Sequence, residues 1–69
     1  MVTIKHVAAN GQESIRCAER VDYIPDRNEL IGYGGSGPGK SAEVHVFNSG
    51  RVYVMNDGGK TVGAYVLSK

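Results

Sequence analysis

The stretch Arg51-Val52-Tyr53-Val54-Met55, followed by Asn56-Asp57-Gly58-Gly59-Lys60 and then Thr61-Val62-Gly63-Ala64-Tyr65-Val66-Leu67, decides the fold. Its flanks are rich in β-branched and aromatic residues, which suit a pleated surface. The Asn-Asp-Gly-Gly run between them supplies the residues that tolerate positive φ, so the chain reverses there as a hairpin. In the first flank Val52 and Val54 oppose Tyr53 and Met55. In the second, Val62, Ala64 and Val66 oppose Thr61, Tyr65 and Leu67. Both parities are largely apolar. One core covers one face, so the other face is expected to meet a neighbouring subunit. Gly63 is expected to admit another backbone or to mark a bulge.

The same period of two runs back towards the N-terminus. Residues 42–47 alternate, and Asn48-Ser49-Gly50 turns the chain into the strand at 51–55. Residues 34–41, Gly-Gly-Ser-Gly-Pro-Gly-Lys-Ser, form a loop. A short strand covers 29–33, preceded by the turn Pro25-Asp26-Arg27-Asn28. A long strand covers 13–24, with Ile15, Cys17, Val21 and Tyr23 on one parity and Ser14, Arg16, Arg20 and Asp22 on the other. Glu19 interrupts the apolar parity, and a bulge or sharp bend there would re-aim the strand. Asn10-Gly11 signals a type I′ hairpin turn after a first strand at 2–9. Residues 13–20 contain helix formers but lack a full apolar stripe, so strand is preferred to helix. The expectation is a single all-β domain, 1–69, of about six strands. It would be a small antiparallel meander, arranged as a curled sheet or a small barrel.

Composition bounds the function. A 69-residue chain buries little surface, and oligomerisation, disulfides or a metal usually stabilise such a domain. Cys17 is the only cysteine, so no internal disulfide forms. Cys17, His6 and His45 are scattered, with no zinc-ligand spacing, so no metal or other cofactor is expected. Self-association remains, and a homo-oligomer is expected. Cys17 itself reads as a small buried hydrophobe. The formal net charge of +1 argues against strong field-driven binding to nucleic acid or an anionic membrane. No secretory signal and no long apolar run is visible, and an unpaired cysteine suits a reducing cytosol, so a cytoplasmic location is expected.

The segment Gly34-Gly35-Ser36-Gly37-Pro38-Gly39-Lys40-Ser41 fits the pattern G-x-x-x-x-G-K-[ST]. The residues after Ser41 read as strand and not as the helix a P-loop requires, so a nucleotide triphosphatase is rejected. A glycine-rich backbone with a lysine still makes an anion-binding nest. The expected ligand contacts are the amides of Gly37, Gly39 and Ser41, the ammonium of Lys40, and a second cation from Arg16 or Lys60. Lys60 lies in Gly58-Gly59-Lys60-Thr61, which echoes Gly39-Lys40-Ser41. Tyr33, close in sequence, is the candidate to stack on a base. Arg16, Arg20 and Asp22 read as one charged strand face, with a carboxylate or phosphate clamp as the alternative. No hydrolytic constellation or nucleophile elbow is present, so catalysis is not expected.

The residues from Tyr53 to Leu67 resemble the ending of small phage and prophage proteins with the pattern Y-V-M-N-x-x-G-K-T-V-A-x-Y-x-L. Gly63 stands where that pattern has alanine. The resemblance covers the last quarter of the chain and implies a phage accessory protein in the cytoplasm of a bacterial host. Such proteins often act by binding, including sequestration of nucleotide signals of host defence. The expected function is therefore a non-enzymatic anti-defence sponge: a homo-oligomer that binds and sequesters a small anionic, nucleotide-like ligand. The alternatives are a protein-interaction module covering a host protein and a single-stranded nucleic-acid binder. The near-neutral charge disfavours the latter.

Overall fold

The computed structural model describes residues 1–34 and 44–67. The fold is all-β. Among the described residues seven strands run in the order β1 (Val2–Val7), β2 (Glu13–Ala18), β3 (Arg20–Ile24), β4 (Glu29–Tyr33), β5 (Val44–Phe47), β6 (Gly50–Met55) and β7 (Thr61–Leu67). They form two antiparallel sheets, β2-β1-β6-β7 and β3-β4-β5. Among the described residues the sheets are curled and do not close into a barrel.

The extra strand arises at Glu19, where the expected long strand divides into β2 and β3. The amide of Glu19 donates to the carbonyl of Tyr33 at 2.8 Å, tying the corner to the end of β4. The chain thereby leaves one sheet and enters the other. β3 starts beside the β2 edge of the larger sheet, and its Tyr23 stacks on Tyr65 of β7 at the opposite edge, with ring centroids 4.7 Å apart. The smaller sheet thus crosses over the larger one as a second layer.

Two hairpins use one device. In the turn after β1, Ala8 N–H donates to Gln12 O and Gly11 N–H to Ala8 O. In the turn after β6, Asn56 N–H donates to Lys60 O and Gly59 N–H to Asn56 O. Each has its glycine at positive φ, 89° at Gly11 and 80° at Gly59. This is the three-residue loop with a left-handed glycine, not the two-residue type I′ turn expected at Asn10-Gly11, and it ends the first strand at Val7.

The core contains Ile4, Ala18, Leu30, Val52, Val54 and Leu67, with Val2, Val21, Phe47 and Tyr65 packed against it. Register explains its membership. Ile4 lies opposite Val54 and His6 opposite Val52 across β1 and β6. Ala18 lies opposite Val2. These positions share the face turned to the smaller sheet. Gly32 lies on the facing surface of β4, where a Cβ would sit 2.7 Å from Ile4 Cδ1 and 3.2 Å from Ala18 Cβ. The missing side chain lets the two layers close over Ile4. At Gly50, φ is 82° and a Cβ would run into the Val7 carbonyl, so the entry into β6 requires glycine.

Several expectations about faces are corrected. Ile15 and Cys17 share the outer face of the larger sheet with their partners Lys5 and Thr3. Ile15 is 59% exposed and Cys17 only half-buried, whereas Ala18, on the other parity, is fully buried. Gly63 makes room for a side chain and not for a backbone: a Cβ there would lie 3.1 Å from the Tyr65 hydroxyl oxygen. The bulge reading is met nearby, since the β6–β7 register shifts between Val54 and Met55.

Candidate ligand-binding site

Gly37, Gly39, Lys40 and Ser41 lie outside the described residues. The remaining candidates fall on three different elements. Tyr33 is the last residue of β4, half-buried on the outer face of the smaller sheet, opposite Arg20 on one side and Val44 on the other. The chain passes from it through Gly34 into the glycine-rich segment. Arg16 lies on β2, opposite Ile4, and its Nη1 donates to the Ile15 carbonyl at 3.0 Å. Lys60 is exposed in the β6–β7 turn, its amide donating to Asn56 Oδ1 at 3.0 Å.

The bend at Glu19 separates Arg16 from Arg20. They occupy different sheets, so the single charged face expected of Arg16, Arg20 and Asp22 does not form. Arg20 and Asp22 remain together, with Arg20 Nη2 3.6 Å from Asp22 Oδ2. Arg20 is the residue that the structure adds to the site. Its guanidinium carbon lies 4.4 Å from the Tyr33 ring centroid, a cation–π contact across the β3–β4 ladder. The sequence signal for this pair was present only as pairing distance: a short turn at 25–28 places 20 opposite 33 once register is known. The result is a guanidinium stacked over a phenol ring at the last strand residue before the glycine-rich segment. It carries one cation partly balanced by Asp22, and its exposed surface suits an aromatic or anionic group.

The histidines have structural partners. His6 Nε2–H donates to the Ser49 carbonyl at 2.7 Å, and its ring lies 5.1 Å from that of Phe47. This contact anchors the β5–β6 turn to β1. His45 lies opposite Gly32 on the inner face of the smaller sheet. Among the described residues no three histidine, cysteine or carboxylate side chains gather as a metal-binding group. Among the described residues no helix is long and apolar enough to cross a membrane.

A separate open cleft of about 680 Å³ lies at the far end of the larger sheet. Val7, Ala8, Gly50, Val66 and Leu67 contribute to its walls, and among the described residues Arg51 is the charged one lining it. Neither Tyr33, Arg16 nor Lys60 lines it. Comparison with protein-family models, with curated proteins and with solved structures gives no match to this chain.

Proposed function

We propose that this protein is a non-enzymatic, phage-type accessory protein that, as a homo-oligomer, binds and sequesters a small anionic, nucleotide-like ligand, in the manner of an anti-defence sponge. The observation supporting this reading is the Arg20–Tyr33 stack, whose outer guanidinium face is open to an anion or a base, at the point where the chain enters the glycine-rich segment. Stacking on an aromatic face contributes about 1–3 kcal/mol per base, and a guanidinium beside it attracts phosphate. Lys40 and the amides of Gly37, Gly39 and Ser41, which follow Tyr33 in the sequence, would complete the anion contacts. Arg20, which stands over Tyr33, joins Arg16 and Lys60 as a candidate for the second cation.

Calorimetric titration with a panel of linear and cyclic nucleotides tests the reading. Heat from at least one nucleotide, weakened about tenfold to a hundredfold by Lys40→Ala and by Arg20→Ala, is the expected result. No heat across the panel refutes it. A protein-interaction module is the second reading, favoured by Val44 and Val46, which are 51% and 54% exposed on the outer face of the smaller sheet.

A further inference from the structure

The four edge strands of the two sheets are not equally protected. Natural sheets blunt their edges with charge, proline, shortness or irregularity, because an unpaired strand edge is a template for another strand. β2 carries Glu13 and Arg16, β3 carries Arg20 and Asp22, and the described span of β5, Val44–Phe47, presents only four residues. β7 is seven residues long, Thr-Val-Gly-Ala-Tyr-Val-Leu, with neither a charge nor a proline. Among the described residues it pairs with β6 alone. The register shift lies at its first residues and leaves Gly63 to Leu67 in unbroken register with β6.

We propose that β7 pairs with β7 of a second copy of this chain, antiparallel about a two-fold axis through Ala64, joining two four-stranded sheets into one. This rests on the homo-oligomeric part of the reading above and names its interface. Directly opposite residues in an antiparallel pair project to the same face, so a two-fold axis normal to the sheet pairs residues of one parity. Centred on Ala64, it sets Val62 against Val66 of the copy, and Ala64 against itself. Val62 and Val66 are 61% and 70% exposed in the single chain, and the pairing covers both in an apolar row. Arg51, the nearest cation on that face, lies beside Val66, opposite it on β6. The two-fold axis places the two Arg51 residues at opposite ends of the joined sheet, so no like charges face each other. A single strand pair gives a footprint below the roughly 800 Å² per partner of stable complexes, so a dissociation constant in the micromolar range is expected.

The test is sedimentation equilibrium of the full chain up to about 100 μM, a hundredfold above a micromolar constant. The parent protein should reach the mass of a dimer. Ala64→Lys places two ammonium groups opposite each other at the axis and should weaken the dimer at least about tenfold, as should Ala64→Glu. An equimolar mixture of the two variants should restore it, because the charges then oppose. Ile15→Lys, on the far edge strand, should leave it unchanged. If circular dichroism shows either Ala64 variant unfolded, Val66→Lys, at a side chain already in water, takes its place. A monomeric parent, or a dimer indifferent to these substitutions, overturns the proposal. The nucleotide titration is read separately: a β7 dimer that takes no nucleotide refutes the ligand and leaves the interface standing.

Discussion

Replacing Gly32 by alanine probes the contact on which the two layers close. The added Cβ would stand 2.7 Å from Ile4 Cδ1 and 3.2 Å from Ala18 Cβ. Comfortable carbon–carbon separations are about 3.5–4.0 Å, so the first contact is roughly 1 Å too short. Ile4 and Ala18 are both fully buried. The isoleucine tip has little room to turn, and a methyl on Cα has no rotamer to change. Overpacking of this kind costs about 1–3 kcal/mol. Alanine recovers roughly 0.5 kcal/mol of backbone entropy relative to glycine, leaving a net loss of about 0.5–2.5 kcal/mol. At about 4–8 °C per kcal/mol for a chain this small, Tm should fall by roughly 2–20 °C. Ile4→Val removes Cδ1 and alone should cost about 0.5–1.5 kcal/mol. In the double variant the worst clash is gone, so the combined loss should be at least about 0.5 kcal/mol smaller than the sum. Urea unfolding followed by tyrosine fluorescence reads all three, since the chain has four tyrosines and no tryptophan. Strict additivity, or a Gly32→Ala protein as stable as the parent, would refute the packing of β4 over Ile4.

Leu30→Ala, at a fully buried position, should cost about 2–5 kcal/mol in the same assay, whereas Ile15→Ala should stay within about 0.5 kcal/mol. Equal losses at the two sites would contradict the assignment of inner and outer faces. Gly50→Ala forces a side chain into positive φ and against the Val7 carbonyl, and its loss should exceed about 1 kcal/mol on thermal unfolding. Asn56→Ala removes the acceptor for the Gly58 and Lys60 amides, and should cost about 0.5–1.5 kcal/mol with faster amide exchange confined to the β6–β7 turn.

Much of the strand layout follows from local chemistry. Alternation and turn residues place the strands at 29–33, 51–55 and 61–67 within a residue of where they occur. Glu19 breaks the pattern because a charge cannot continue an apolar row, and the chain bends there. The hairpin ends are local too, although Asn10-Gly11 is absorbed into a longer loop closed by the bond from Ala8 N–H to Gln12 O. Which parity is buried is a different matter. Ile15 outranks Ala18 in hydrophobicity, yet Ala18 is buried and Ile15 is in water. The physical reason is that alternation is a property of one strand, while burial depends on which face a second sheet crosses. At the corner there is space beside Gly32 for a methyl, and the crossing layer selects the parity that carries one. The same choice buries Val52 and Val54 in β6 but leaves Val62 and Val66 of β7 outside. The Arg20–Tyr33 contact has the same origin. The sequence by itself determined the strands, the turns and the break at Glu19, because backbone preference acts over a few residues. Tertiary structure alone decided that Arg16 and Arg20 part company and that Arg20 meets Tyr33, because a bend assigns them to different sheets and a register aligns residues thirteen apart.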